Sequence, residues 1–159
     1  MITPFKANME IDWERLASMI NYVIEGGTDY IVALGTTAET PTLSKEEKRD
    51  VIRYFKQQIA GRVPLVLGAG GNNTLALTKE FQEIELDGVE AILSVTPYYN
   101  KPSQEGLYRH FEAVAKASPV PVILYNVPGR TGVNMSADTT CRLARDFDNI
   151  IGVKEASGK

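Results

Sequence analysis

The chain is predicted to fold as an α/β protein, with a parallel β-sheet covered by helices on both faces. Three observations predict it. Short apolar runs alternate with amphipathic stretches from one end to the other. The apolar runs are continuous rather than interleaved with polar residues, which marks strands buried on both faces. The repeat of roughly 30 residues per strand and helix is that of βαβ crossovers.

Each element follows from local signals. Ile2-Thr3-Pro4-Phe5 reads as the tail of a first strand. Asp12 caps a helical stretch with Leu16, Ile20, Val23 and Ile24 on one face and Gly26-Gly27 at its end. Tyr30-Ile31-Val32-Ala33-Leu34 is a second strand, and Ser44-Lys45-Glu46-Glu47 is a capping box that opens a helix to residue 60. Pro64-Leu65-Val66-Leu67 is a third strand, followed by the glycine-rich turn 68–71 and a helix over 74–86. Ala91-Ile92-Leu93-Ser94-Val95 is a fourth strand, followed by a helix over 103–117 with Glu105 near its start. Val120-Pro121-Val122-Ile123-Leu124-Tyr125 is a fifth strand, 136–145 a helix, and Ile150-Ile151-Gly152-Val153 a sixth strand. An open doubly wound sheet and a (β/α)8 barrel both fit this order. A barrel takes ~250 residues, so the chain is expected to supply about two thirds of one. No linker, low-complexity segment or charge block marks a boundary, so residues 1–159 read as one domain.

Composition narrows the function classes. With 43% hydrophobic and 23% charged residues the chain is an ordinary soluble globular sequence. Its net charge of −3 gives no reason to expect nucleic acid or an anionic membrane as partner. No apolar stretch approaches the ~20 residues of a membrane span, and nothing at the N-terminus resembles a signal peptide. The single Cys141 excludes an intrachain disulfide framework and suits a reducing cytosol, so a cytoplasmic protein is expected. His110 is the one histidine, which leaves no His-rich zinc site, and no Asp/Glu cluster points to a metal.

The unusual residues collect at the C-terminal ends of strands, where parallel α/β folds place their ligands. The second strand ends in Gly35-Thr36-Thr37-Ala38-Glu39, and the fourth in Thr96-Pro97-Tyr98-Tyr99-Asn100. The fifth ends in Tyr125-Asn126-Val127-Pro128-Gly129-Arg130-Thr131, and the sixth in Lys154. An ammonium at the end of a buried strand is rare without a partner or a purpose. Desolvation lowers a lysine's pKa, and a neutral amine attacks carbonyls to form a Schiff base. The protonated imine is an electron sink that permits carbon–carbon bond making, with the lysine in the place of a metal. Tyrosine hydroxyls can move the protons such steps require. Thr36, Thr37 and their backbone N–H groups can hold one carboxylate, and Arg130 offers a fork for a second.

These residues carry a resemblance. Gly35 to Glu39, Pro97-Tyr98-Tyr99-Asn100, Tyr125 to Gly132 and Val153 to Gly158 resemble the dihydrodipicolinate synthase (4-hydroxy-tetrahydrodipicolinate synthase) family. The opening Thr3-Pro4-Phe5 fits as well. The wider superfamily of pyruvate-dependent class I aldolases shares the lysine and the Tyr-Asn-x-Pro segment. The double threonine, the tyrosine pair and Arg130 point to the synthase. The resemblance implies the N-terminal part of a (β/α)8 barrel, with about six strands and the first one clipped. It implies a lyase that condenses pyruvate with L-aspartate 4-semialdehyde for lysine and diaminopimelate biosynthesis. No cofactor is implied beyond the covalent lysine–pyruvate imine. Lys154 would form that imine, Tyr125 would exchange protons beside it, and Thr36 would relay protons between Tyr125 and Tyr99. The equivalent of Tyr99 comes from a neighbouring subunit, and a homotetramer built as a dimer of dimers is implied. Thr37 would hold the pyruvate carboxylate, and Arg130 would receive that of the semialdehyde. Two departures stand out. Ala38 occupies a position that is usually glycine. Ala76 occupies the position of a glutamate found in lysine-inhibited members, while Asn72 and Tyr98 match other parts of that allosteric pocket. Weak or absent lysine feedback is therefore expected.

Each residue also has a plain structural reading. Lys154 could be a strand-end lysine with its head in solvent, and Tyr125 a core phenol with a satisfied hydroxyl. Thr36-Thr37 could be a capping turn and Arg130 a solvated loop charge. Their joint occurrence on one edge is what these readings leave unexplained. Tyr98 reads equally as core or interface, Glu155 as structural, Cys141 as core packing and His110 as a surface or interface residue. The glycine-rich turn 68–71 lacks the Lys-Ser/Thr ending of a P-loop and reads as a tight strand–helix turn. Two other functions remain in play. One is a sister aldolase such as N-acetylneuraminate lyase or a keto-deoxy-sugar aldolase. The other is a non-catalytic barrel fragment, whose unclosed sheet would leave it marginal, swapped with another copy or aggregated.

Overall fold

The structure, a computed structural model, describes residues 1–158. It divides into two compact units: residues 1–68 with 87–90, and residues 69–86 with the chain from Ala91 onward.

In the first unit, helix α1 (Trp13–Glu25) leads to strand β1 (Ile31–Ala33), helix α2 (Lys45–Ile59) and strand β2 (Leu65–Gly68). Both helices start where the capping signals place them. Asp12 accepts from the Arg15 amide at 3.0 Å, and Ser44 and Glu47 complete their reciprocal box. β1 and β2 run parallel, with Ile31 opposite Leu65 and Ala33 opposite Leu67. Leu16 and Ile20 of α1 and Val51, Ile52, Phe55 and Ile59 of α2 are buried, as are Ile31, Ala33, Leu65 and Leu67 of the strands. The i, i+4 spacing puts these side chains on one face of each helix. Tyr54 adds a polar tie, donating its hydroxyl to the Trp13 carbonyl at 2.8 Å.

The opening segment departs from expectation. Ile2 to Phe5 is not a strand of the parallel sheet. Its ladder is a single antiparallel bridge between Phe5 and Ile11, and the N-terminal amine donates to the Val32 carbonyl at 2.7 Å. Pro4 has no N–H to give a ladder, and the chain doubles back where the Lys6 amide meets the Glu10 carbonyl at 2.8 Å. The described residues therefore form five strands, not six.

The second unit comprises α3 (Thr74–Glu83), β3 (Ala91–Val95), α4 (Gln104–Ala117), β4 (Val122–Asn126), a one-turn helix α5 (Pro128–Thr131), α6 (Ala137–Asp146) and β5 (Ile150–Glu155). β4 lies between β3 and β5, parallel to both. Leu107, Phe111 and Val114 of α4, Leu143 of α6, and Ile92, Val122 and Leu124 of the strands are fully buried. α6 is held on α4 by a polar seam as well. The Arg142 guanidinium lies 3.6 Å from the Tyr108 ring centroid and pairs with Glu105 at 2.7 Å, while Tyr108 donates to Asp146 at 2.7 Å.

Three local expectations are corrected here. His110 is buried, because it lies on the same face of α4 as Leu107, Phe111 and Val114. Cys141 is exposed, because the buried stripe of α6 runs through Thr139 and Leu143 and leaves it on the other side. β5 was expected to be buried on both faces, yet Ile151 is 59% and Val153 44% exposed. β4 pairs with one edge of β5, and among the described residues no strand pairs with the other.

Candidate active site

The register of β4 and β5 decides what Lys154 meets. Val122 is opposite Ile150, but Ile123 is opposite Gly152, so one extra residue bulges out of β5. Without the bulge, Val153 would face Tyr125 and Lys154 would face Asn126. With it, Tyr125 is opposite Lys154 and Asn126 is opposite Glu155. A slip of one residue sends each side chain to the other face of a sheet. The bulge therefore puts Lys154 on the face of Tyr125, and the lysine Nζ sits 4.4 Å from that ring's centroid. Tyr125 is 7% exposed, whereas Lys154 is open to solvent rather than buried.

The opposite face of the same two strands is a polar hub. Asn126 is buried, and its Nδ2 donates to both carboxylate oxygens of Glu155, at 3.1 and 2.9 Å, and to Asn134 Oδ1 at 2.7 Å. Its Oδ1 accepts from the Met135 amide at 3.0 Å, and its carbonyl accepts from the Ala156 amide at 2.9 Å. The Asn126 side chain holds the Glu155 carboxyl below the usual carboxylate range, helped by the Ser157 amide. Glu155 is structural, as expected, and Asn126 is the residue whose weight sequence reading missed. It stood in the quoted motif, but only the fold reveals that it serves both strand ends.

Arg130 sits on α5, not on an open loop. The turn begins at Pro128, whose fixed φ suits a first helical position, and ends at Gly132 with φ +73°. The guanidinium is exposed. Tyr99 follows β3 and is 88% exposed. Its φ is +69°, and the Asn100 amide donates back to the Tyr98 carbonyl at 2.8 Å. That is the strained form of the three-residue γ-turn. A non-glycine residue in this region costs roughly 1–3 kcal/mol and persists only where neighbours enforce it. Tyr98 is 40% exposed, and its carbonyl also accepts from Asn72 Nδ2 at 3.2 Å. Within the second unit, Tyr99 and Arg130 follow the C-terminal ends of parallel strands, and Lys154 lies in the C-terminal part of β5. The direct contact is between Lys154 and Tyr125.

Thr36 and Thr37 belong to the first unit and are described within it. They open a 3₁₀ turn (Thr36–Ala38) after β1 and are exposed. Left-handed Leu34 (φ 52°) and Glu39 (φ 55°) bracket the turn. Thr40 donates its hydroxyl to the Leu34 carbonyl at 2.8 Å, and Thr3 donates to the Ala38 carbonyl at 2.8 Å. Thr3 and Thr40 thus support the turn, and Thr40 is the one that the sequence did not single out. Gly68, at the end of β2, lets this turn approach. A Cβ there would lie 2.1 Å from the Leu34 carbonyl oxygen. Gly70 plays a similar part in the second unit, where a Cβ would lie 2.8 Å from the Val95 amide nitrogen. The glycine-rich stretch is a tight connection from β2 to α3, as expected, and two of its glycines, Gly68 and Gly70, also permit close packing. Among the described residues no group of three His, Cys, Asp or Glu side chains could hold a metal ion, and no helix is long and apolar enough to cross a membrane.

The model of the Dihydrodipicolinate synthetase family matches residues 1–159. The chain belongs to this family. A 4-hydroxy-tetrahydrodipicolinate synthase of Parabacteroides distasonis is 56% identical over 99% of this chain and 53% of its own length. One of Flavobacterium psychrophilum is 55% identical over 99% of this chain and 54% of its own. The crystal structure of the chloride-inhibited dihydrodipicolinate synthase of Acinetobacter baumannii in complex with pyruvate is 46% identical, with a TM-score of 0.95 over 100% of this chain and 54% of that one. The chain thus spans about half the length of the synthetase-family relatives it matches. Its fold is α/β, a partial (β/α)8 barrel of this family. Relatives named as the synthase favour that reading over the sister aldolases.

Proposed function

We propose that this chain carries the imine-forming half of a 4-hydroxy-tetrahydrodipicolinate synthase, a lyase of lysine and diaminopimelate biosynthesis. The observation that carries the reading is the Lys154–Tyr125 pair, an amine 4.4 Å from a phenol ring at the C-terminal end of parallel strands. The substrates are pyruvate and L-aspartate 4-semialdehyde, and no cofactor is required. The Lys154 amine adds to the keto carbon of pyruvate and water leaves, giving an imine. Loss of a methyl proton converts the imine to an enamine, with Tyr125 as the proton carrier. The enamine carbon attacks the aldehyde carbon of the second substrate. The amino group of that substrate then displaces Lys154 from the imine carbon, closing the ring and freeing the lysine. Thr36 and Tyr99 complete the proton relay, Thr37 binds the pyruvate carboxylate and Arg130 the semialdehyde carboxylate. The exposure of Tyr99 supports its service to a neighbouring subunit, within a cytoplasmic homotetramer arranged as a dimer of dimers. Lysine feedback is weak or absent, because Ala76 offers no carboxylate to an effector's amine.

Borohydride reduction in the presence of pyruvate, followed by peptide mapping, tests this. A reduced pyruvyl adduct on Lys154 is expected. A folded protein that reacts elsewhere, or not at all, overturns the mechanism.

A further inference from the structure

His110 is a buried imidazole with no part in the reaction described above. Its Nδ1 is 2.8 Å from the Thr74 hydroxyl, and its Nε2 is buried without a partner. A lone polar nitrogen in an apolar layer is costly, so the contact at Nδ1 has to repay it. What that contact holds lies directly along the chain. Thr74 is the first residue of α3, and Asn73 caps that helix by accepting from the Ala76 amide at 3.0 Å. Asn72, the residue before the cap, reaches across to the loop after β3. Its Nδ2 donates to the Tyr98 carbonyl at 3.2 Å, and its own carbonyl accepts from Asn100 Nδ2 at 2.8 Å. Between Tyr98 and Asn100 stands Tyr99, at the strained tip with φ +69°. The loop carrying Tyr99 ends in the N-cap of α4, the helix that bears His110.

We propose that His110 is a positioning residue for Tyr99. Through Thr74 it locks the start of α3 to α4, and so fixes the Asn72–Tyr98–Asn100 clasp that keeps Tyr99 extended into solvent. The proposal rests on the reading of Tyr99 as a catalytic tyrosine. Its structural half does not, because the clasp and its anchor are seen in the geometry alone. Asparagine at 110 can present an amide where Nδ1 now lies, whereas leucine fills the space and cannot bond Thr74.

Hydrogen exchange and steady-state kinetics on the active assembly separate the two halves. His110→Leu is expected to speed amide exchange selectively at residues 72–74 and 98–101, and to lower kcat by about tenfold with little change in KM for pyruvate, as a displaced catalytic group does. His110→Asn restores both. Thr74→Val, at the rim of the layer, repeats the effect of the leucine variant and serves if that variant does not fold. Unchanged exchange in the clasp, or a uniform rise over the whole unit, overturns the positioning role. Loosened exchange with normal turnover leaves the positioning role standing and removes Tyr99 from the reaction.

Discussion

At the scale of single residues, Lys154 and Tyr125 sit in different environments, and different roles are proposed for them. The phenol is buried, while the amine is open to solvent. Lys154→Arg keeps the charge but replaces a nucleophilic amine by a guanidinium that stays protonated. Borohydride trapping of pyruvate is expected to vanish in that variant, with the circular dichroism unchanged. Tyr125→Phe keeps the packing and loses the proton carrier. It is expected to lower kcat by about 10²- to 10⁴-fold while trapping, which is read after long incubation, survives. Their placement at strand ends was legible in the sequence because each closes an apolar run. The burial of His110 was not, since a histidine amid Leu107, Phe111 and Val114 becomes core only when the face of α4 is known. Its pKa is pushed down to about 4 by burial. The unfolded chain therefore binds the extra proton between about pH 6.5 and 4, and the folded one does not. Stability is expected to fall by about 3 kcal/mol as pH drops through that window, on top of any carboxylate effects. His110→Asn is expected to flatten this part of the pH–stability curve, read by urea melts at successive pH values.

At the scale of elements, two irregularities matter more than the regular ladder. The bulge at Ile151 sets which face Lys154 occupies, and Asn126 holds the ends of β4 and β5 to the loop that carries α5. Neither follows from hydrophobic pattern. Alternation and apolar runs announce strands, but register is settled by partners far along the chain. Helix starts, in contrast, were readable at Asp12, Ser44, Ser103 and Ser136, where each side chain accepts the amide three residues on, because capping is local chemistry. Inserting one residue between Gly152 and Val153 is expected to shift the register beyond the bulge, so that Val153 lies opposite Tyr125 and Lys154 turns away. Pyruvate trapping then fails although the lysine is still present. A normal yield of the lysine adduct in the insertion variant would show that the register is incidental. Asn126→Leu leaves the Met135 amide and the Glu155 carboxylate without their partner. The cost is expected to be about 1–3 kcal/mol, seen as a lower urea midpoint and faster exchange over residues 127–135.

At the scale of the whole molecule, the chain has a covered core and an uncovered strand. β5 carries the proposed nucleophile, yet it presents Ile151 and Val153 to solvent along an edge that no described strand closes. Open apolar edges recruit other chains. Sequence patterning identified β5 correctly as apolar and wrongly as buried, because an apolar run states what a strand needs and not what it finds. The net charge of −3 is small and offers little repulsion between copies. The 159-residue polypeptide, produced as such, is therefore expected to self-associate through this edge. Ile151→Lys with Val153→Lys places two like charges on the exposed face without touching the Tyr125–Lys154 row, and is expected to shift the species toward monomer. Size-exclusion chromatography with light scattering at several concentrations checks it. A stable monomer of the unaltered chain would refute the self-association, and association that the two lysines leave unchanged would place the contact elsewhere.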